Sequence, residues 1–233
     1  MPEPRFQLDY WPLPFRGCFV SYQFAYRDVP LLMEGDFESI GKLLGQPPEE
    51  QDIPFMGPPI LRDLETGQTL SQMPAIVLYV SGELGLKPDD PFAEAMCMKV
   101  LMDCNDLLME ICGYNGSIMW EPEQWSEFRS RRLVRWMQIF ETSLQRGFIG
   151  KDSVSFADIA VYALFGNMTR CLPELEQDLR EHAPTIHALC RRIGAQPSLA
   201  SFVADEDRNY GKLYCGGQIE ESLRRMLAMD AAE

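Results

Sequence analysis

Residues 57–86 read Gly-Pro-Pro-Ile-Leu-Arg-Asp-Leu-Glu-Thr-Gly-Gln-Thr-Leu-Ser-Gln-Met-Pro-Ala-Ile-Val-Leu-Tyr-Val-Ser-Gly-Glu-Leu-Gly-Leu, and three backbone signals follow one another there without a gap. Pro58-Pro59 imposes an extended or turn conformation and is able to hold a cis bond. Ile60 to Asp63 and Gln68 to Leu70 flank Glu65-Thr66-Gly67 as the arms of a short hairpin. Ser71 to Leu84 then reads as a helix, with Ser71 as N-cap and Pro74 in the first turn. Ile76, Val77, Val80 and Leu84 fall on one face of it. A proline turn, a hairpin and a capped helix make half of a small α/β sandwich.

Upstream, Phe6 to Tyr10 alternates as a strand does, and Gly17 to Tyr26 follows as a helix with Val20 and Phe24 inward. The loop Trp11 to Arg16 separates them. Val29 to Met33 reads as a second strand and Phe37 to Leu44 as a short helix ending at Gly45, before the Pro47-Pro48 break. The order is βαβαββα, with residues 46–56 as a loop. Downstream, Gly85 to Pro91 has no apolar periodicity and reads as a linker, beyond which every pattern is helical. This predicts two domains, an α/β domain over residues 1–85 and an all-α domain over residues 92–233. Helices are expected over Phe92–Cys112, Pro122–Arg146, Phe156–Arg170, Pro184–Ile193, Ser198–Ala204 and Gln218–Met229. The third is apolar almost all round and hence central. Ser155 with Asp158 has the S-x-x-D form related to the capping box, a folding signal.

The 233 residues suffice to bury a core without a staple. The formal charge is -14, from 21 Lys+Arg against 35 Asp+Glu, a field that repels phosphate backbones and anionic lipid. Nucleic acid and membrane are excluded as expected partners. The seven cysteines form no C-x-x-C pair, so they read as reduced, cytoplasmic thiols, with Cys97, Cys104 and Cys112 filling one helix face. The N-terminus lacks a leader pattern and no apolar run approaches the roughly 18 residues of a span, so a soluble, unprocessed protein is expected. Only His182 and His187 are present, which argues against a multi-histidine metal site. No G-x-S-x-G, G-x-G-x-x-G or P-loop occurs.

Residues 57–86 resemble the second half of the thioredoxin-like domain of the glutathione transferase superfamily, where a Pro opens the third strand and Gln/Glu-Ser-x-x-Ile opens the third helix. Leu8-Asp9-Tyr10-Trp11-Pro12, followed by Arg16-Gly17, resembles the first strand and first helix start of the tyrosine-type classes. Ser155-Phe156-Ala157-Asp158-Ile159-Ala160 resembles the capped core helix of the family's all-helical second domain. The resemblance covers nearly the whole chain. It implies a thioredoxin-like glutathione-binding domain, an all-α domain holding a small hydrophobic electrophile, a cis Pro59, a homodimer and a cytoplasmic detoxifying transferase. A glutathione-dependent peroxidase or isomerase, or a non-catalytic binding protein, would use the same fold.

By that resemblance Tyr10 is the hydroxyl that donates to the glutathione sulfur. A second alignment puts Leu13 where Omega-like and Beta-like enzymes carry Cys, and leucine rules out a cysteine mechanism there; Cys18 reads as core. Gln72 matches the Gln of the γ-glutamyl site, while Met73 replaces the Ser. Pro58 precedes the cis Pro59 and, having no N–H, only accepts. Arg16 and Lys42 are candidate cations for the glutathione carboxylates. Asp106, with Asp103 as the competing choice, matches an acidic residue reaching the γ-glutamyl amine from a partner subunit. Trp11, Tyr114, Trp120 and Tyr210, with Tyr214, are candidates for the electrophile wall. The run Arg129, Arg131, Arg132, Arg135 reads as a solvated face.

Overall fold

The computed structural model describes residues 3–151 and 153–231. The chain forms two compact units, Met1–Lys87 with Ala195–Gly211, and Pro88–Gly194 with Lys212–Glu233.

The first unit is built on a four-stranded sheet of β1 (Phe6–Asp9), β2 (Leu31–Glu34), β3 (Ile60–Asp63) and β4 (Thr69–Ser71), in the order β2-β1-β3-β4. β1 pairs in parallel with β2 and antiparallel with β3, and β3 pairs antiparallel with β4. Three helices accompany it, α1 (Cys18–Arg27), α2 (Phe37–Leu44) and α3 (Met73–Glu83). Phe6 and Leu8 of β1 are buried, and the Phe6 ring meets Phe24 of α1 edge-on at 5.5 Å. Ile76, Val77 and Val80 of α3 are fully buried, as their spacing predicts. The bond Pro58-Pro59 is cis. The helix Pro197–Tyr210 packs on α1, where Tyr22 Oη donates to Glu206 Oε2 at 2.6 Å and Ser198 Oγ donates to the Ala25 carbonyl at 2.6 Å.

Boundaries shift from the sequence reading by a residue or two in several places, and two of the shifts have a clear cause. Ser71 does not cap α3: it is the last residue of β4, opposite Ile60, and Gln72 takes the cap position with φ 71°. Ladder pairing here overrides the intrinsic preference of serine for a cap. β2 starts at Leu31 because Val29 is still tied to α1, its N–H donating to the Phe24 carbonyl at 3.0 Å.

In the second unit, α4 (Pro91–Ile111) is capped by Asp90, whose carboxylate accepts from the Ala93 N–H at 2.7 Å. Cys97, Val100, Leu101, Cys104, Leu107, Leu108 and Ile111 form its buried stripe. The helix expected over residues 122–146 runs as Pro122–Glu127, a π-helical turn Phe128–Leu133, and Val134–Gln145. The central helix is likewise Phe156–Val161, a π-helical turn Tyr162–Gly166, and Asn167–Cys171. Buried Asp158 accepts from the Ser155 N–H at 2.8 Å, the Ser155 hydroxyl at 2.7 Å and the Gly150 N–H at 2.5 Å. The helix Glu176–His182 was not anticipated, since Leu179 is its one buried residue and leaves no periodic signal. Pro184–Gly194 starts on buried Glu141, which accepts from Thr185 and Ile186 N–H. Before Gly217–Asp230, buried Glu220 gathers the N–H groups of Tyr214, Cys215 and Gly216. All seven cysteines are free thiols, and no helix among the described residues is long and apolar enough to cross a membrane.

Asp63 ties the hairpin to the N-terminal strand. Its carboxylate accepts from Arg5 Nη2 at 2.7 Å and from the Glu65 and Thr66 N–H groups, while Arg5 also pairs with Glu83 at 2.6 Å. The Arg5 hydrogen bonds, helped by the turn N–H groups, hold this carboxyl well below the usual carboxylate range. A group depressed in the folded state stabilises above its unfolded pKa, roughly pH 4, and that contribution is lost as pH falls through the lower folded value. Urea midpoints measured from pH 7 to pH 2 should therefore fall more steeply below pH 4 in the wild type than in Asp63→Asn. Parallel acid limbs would remove Asp63 from that role.

Candidate functional site

The register of the sheet brings three of the sequence candidates to one end of it. Asp9 stands opposite Ile60, and Ile60 opposite Ser71. The residues that follow or precede these, Tyr10, Pro59 and Gln72, are therefore neighbours at the carboxyl ends of β1 and β4. Tyr10 is anchored at that level by its N–H, which donates to the Glu34 carbonyl at 2.9 Å.

Tyr10 is 4% exposed. Its ring lies on Gly17 at the start of α1, so closely that a Cβ there would stand 2.4 Å from the ring Cδ1; only glycine permits this approach. The hydroxyl accepts the Arg16 N–H at 2.8 Å and keeps its own proton to donate. Burial pushes the phenol far above the ordinary tyrosine value, outweighing the opposing influence of Arg16. At neutral pH this group is a donor, not a phenolate.

At the start of α3, Gln72 is exposed with φ 71° and ψ 113°, a left-handed backbone that non-glycine residues rarely adopt. No side chain caps this end among the described residues, so the first-turn N–H groups point outward at the positive end of the helix. That is an arrangement suited to a carboxylate. Met73 is 2% exposed and gives its side chain to the core, leaving only backbone at this position. Pro58 is half-buried and Pro59 buried beside them.

The remaining candidates are scattered. Lys42 is exposed on α2 and pairs with Glu38 at 2.7 Å. The Arg16 guanidinium lies 5.3 Å from the Phe15 ring centroid. Trp11 packs on Phe37 at 5.8 Å. Tyr210, half-buried on the helix Pro197–Tyr210, also belongs to the first unit. In the second unit Asp106 is exposed on α4, and Asp103 is bonded to Lys99. Tyr114 is 53% exposed. Trp120 is stacked on Phe128 at 4.8 Å, with its indole N–H donating to the Ile111 carbonyl at 2.9 Å. Tyr214 is fully buried and belongs to the core, not to a substrate wall. Arg129 departs from the solvated-face reading: it bridges Asp178 at 2.9 Å and Asp230 at 2.6 Å. Among the described residues no cluster of His, Cys, Asp or Glu has the makings of a metal site.

Two contributors escaped the sequence reading. Gly17 reads in sequence only as a helix start and as part of an Arg-Gly pair, although a glycine at a helix start is a recognisable sign of close backbone approach. The Glu206 contact to Tyr22 spans 184 residues and has no local signature.

The model of the glutathione S-transferase C-terminal domain matches residues 96–226. Among solved structures, a Pi-class glutathione S-transferase of Onchocerca volvulus superposes with a TM-score of 0.75 at 16% identity, over 92% of this chain and 99% of that one. The structure titled NaGST-2 gives 0.69 at 22% identity over 90% and 99%. Prostaglandin synthase D of Nilaparvata lugens gives 0.70 at 18% identity over 87% and 99%. No curated protein sequence matches. At these identities the solved structures bear on the fold alone; the domain match, covering more than half of the residues, together with the small mixed sheet and helical second region, places the chain in the glutathione S-transferase family.

Proposed function

We propose that the chain is a cytosolic glutathione transferase that activates the glutathione thiol for attack on a small electrophile, with residues 1–85 binding glutathione and residues 92–233 contributing the electrophile site. The observation that carries this reading is the register that aligns Tyr10, Pro59 and Gln72 at one end of the sheet. A free thiol of pKa about 8.5 is only ~3% ionised at pH 7, and a downward shift of ~2 units makes the thiolate dominant. In this reading the Tyr10 hydroxyl, protonated at neutral pH, would donate a charge-assisted hydrogen bond to that sulfur. The α3 start, with Gln72 and the Met73 N–H, would take the γ-glutamyl carboxylate.

Two contacts weaken in this chain. Met73 supplies no hydroxyl and Pro58 no N–H, and two lost hydrogen bonds of ~0.5–1.5 kcal/mol each lower affinity by about tenfold or more. Arg16 and Lys42 are the cations available to the glutathione carboxylates. Trp11, Tyr114, Trp120 and Tyr210 would face the electrophile. A homodimer would offer Asp106 to the partner's γ-glutamyl amine. The competing reading, a binding protein of this fold without catalysis, is favoured by the burial of Tyr10 at 4% exposure.

Thermal unfolding with and without glutathione separates the two. Ligand at ~100 times its Kd should stabilise by about 2.7 kcal/mol, a shift of a few degrees at this size. No shift at millimolar glutathione would sink the enzyme reading. Tyr10→Phe should lower turnover by around one to two decades while leaving glutathione affinity nearly intact; unchanged turnover would assign the donor elsewhere. Gln72→Gly should move two readouts in opposite directions. Relief of the left-handed backbone raises the urea midpoint, by about 0.5–1 kcal/mol of stability. Loss of the side chain shrinks the glutathione-induced shift. A variant that is destabilised, or that keeps the full shift, contradicts the assignment of Gln72.

A further inference from the structure

One guanidinium of the first unit joins three stretches of chain. Arg62 stands on β3 opposite Gln7 of β1. Its Nε donates to Asp9 Oδ2 at 2.8 Å, and its Nη1 pairs with Asp52 in the loop of residues 46–56. The Asp9 carboxylate is held from its other oxygen as well, which accepts from Gln7 Nε2 at 2.6 Å. Asp9 is the residue before Tyr10. Asp52 and Arg62 lie ten residues apart, on either side of Pro58 and Pro59. The Asp52 arm therefore closes a short ring of chain that contains the proline turn, and the Asp9 arm fixes that ring to the strand leading into Tyr10. A closed ring has far fewer conformations than an open loop of the same length.

The loop has little else to hold it. It contains one 3-10 turn, Pro48–Glu50, and its other bonds run within the loop or back to α2: Gln51 accepts from the Phe55 N–H at 2.9 Å and donates to the Gln46 and Leu43 carbonyls at 3.3 and 3.5 Å. From Gln46 to Gly57, the pair Asp52–Arg62 is the polar tie to the sheet among the described residues. A cavity of about 90 Å³ remains where Ile53 and Phe55 of the loop meet Ile60 and Thr69 of the sheet, so apolar packing there is incomplete. The two arms of Arg62 differ in strength. The Asp9 side chain is 6% exposed and its charge needs a partner, whereas that of Asp52 is 63% exposed and its pairing is the weaker. The position of this loop matters in a chain whose Pro58 can only accept. A cysteinyl backbone held there by one bond, where an N–H would have made a second, is not oriented by its own contacts, so the Pro58 carbonyl has to be in place beforehand.

We propose that Arg62 is a positioning residue for glutathione, holding Asp9 and Asp52 together so that the Pro58 carbonyl and the Tyr10 hydroxyl meet one ligand at a fixed separation. The role rests on the glutathione reading above, so one arm of its test omits glutathione. In that arm a glutamate-specific endopeptidase is added to the full chain, whose Glu49 and Glu50 are exposed in the loop. Asp52→Asn, a change at an exposed position that should leave the fold intact, should speed cleavage there about fivefold, read by mass spectrometry. In the second arm, Asp52→Asn should raise the glutathione Kd about three- to fivefold while turnover of an activated aryl chloride at saturating glutathione stays unchanged. Arg62→Lys, whose ammonium reaches one carboxylate and not both, should keep Asp9 and reproduce the effect of Asp52→Asn. The double variant should then be no worse than either single one. Additive losses in the double variant, or faster cleavage with an unchanged Kd, would overturn the positioning role while the wild-type thermal shift, and with it the transferase reading, stands. Unchanged cleavage in Asp52→Asn would overturn it equally. A wild type without a glutathione-induced shift removes the transferase reading itself, and the positioning role falls with it.

Discussion

The pairing of β1 on both of its edges is the constraint on which the first unit depends. A strand of four residues has little stability alone, and β1 acquires it from β2 on one side and β3 on the other. The β3 edge is pinned by charge as well as by backbone. Arg62 of β3 bonds Asp9 of β1 at 2.8 Å, and Arg5, just before β1, bonds Asp63 at the end of β3. Since side chains alternate with period two, a slip of one residue would turn Phe6 and Leu8 out of the core. The positions of Tyr10, Pro59 and Gln72 follow from that register, so the geometry of the candidate site is a by-product of core packing.

The second unit solves a different problem, how to pack a helix that is apolar all round. Phe156 to Phe165 are buried without exception, so every neighbour must present an apolar face to them. Polar groups that enter this interior arrive with partners. Asp158, Glu141 and Glu220 are each nearly inaccessible, and each accepts several backbone N–H groups at a helix start or turn. Carboxylates used in this way meet otherwise orphaned donors, which repays their desolvation. The chain thus places buried acids where chain direction changes, and leaves most of its excess negative charge on the surface.

Irregular backbone is concentrated in a few places with side chains of chemical interest. Gln72 stands in a left-handed conformation at the start of α3, and Tyr114 in a left-handed turn beyond α4. The turn over Phe128–Leu133 carries three of the arginines in its vicinity. Regular structure would have been available to each of these segments at lower conformational cost, and persistence of the irregular form requires the surroundings to over-determine it.

Much of this was legible in the chain itself. The proline turn at Pro58-Pro59, the hairpin around Glu65-Thr66-Gly67, the buried face of α3 and the S-x-x-D start of the central helix rest on residues within a few positions of one another. Local sterics and periodicity suffice to specify such elements. The helix end at Leu44 was readable for the same reason, whereas α4 begins at Pro91, one residue before the expected Phe92 and inside the expected linker, because Asp90 caps it. The cap of α3 was not, because Ser71 has two suitors and the ladder partner Ile60, eleven residues away, wins. Nor was the left-handed turn, although Gly113 and Gly116 marked a break there, since its shape is set by contact with the Ile118 carbonyl. The capture of Arg129 by Asp178 and Asp230 and the return of residues 195–211 to α1 through Tyr22 and Glu206 were decided by tertiary structure alone. Each depends on groups distant in sequence, whose proximity is a property of the packed core and has no counterpart in local pattern.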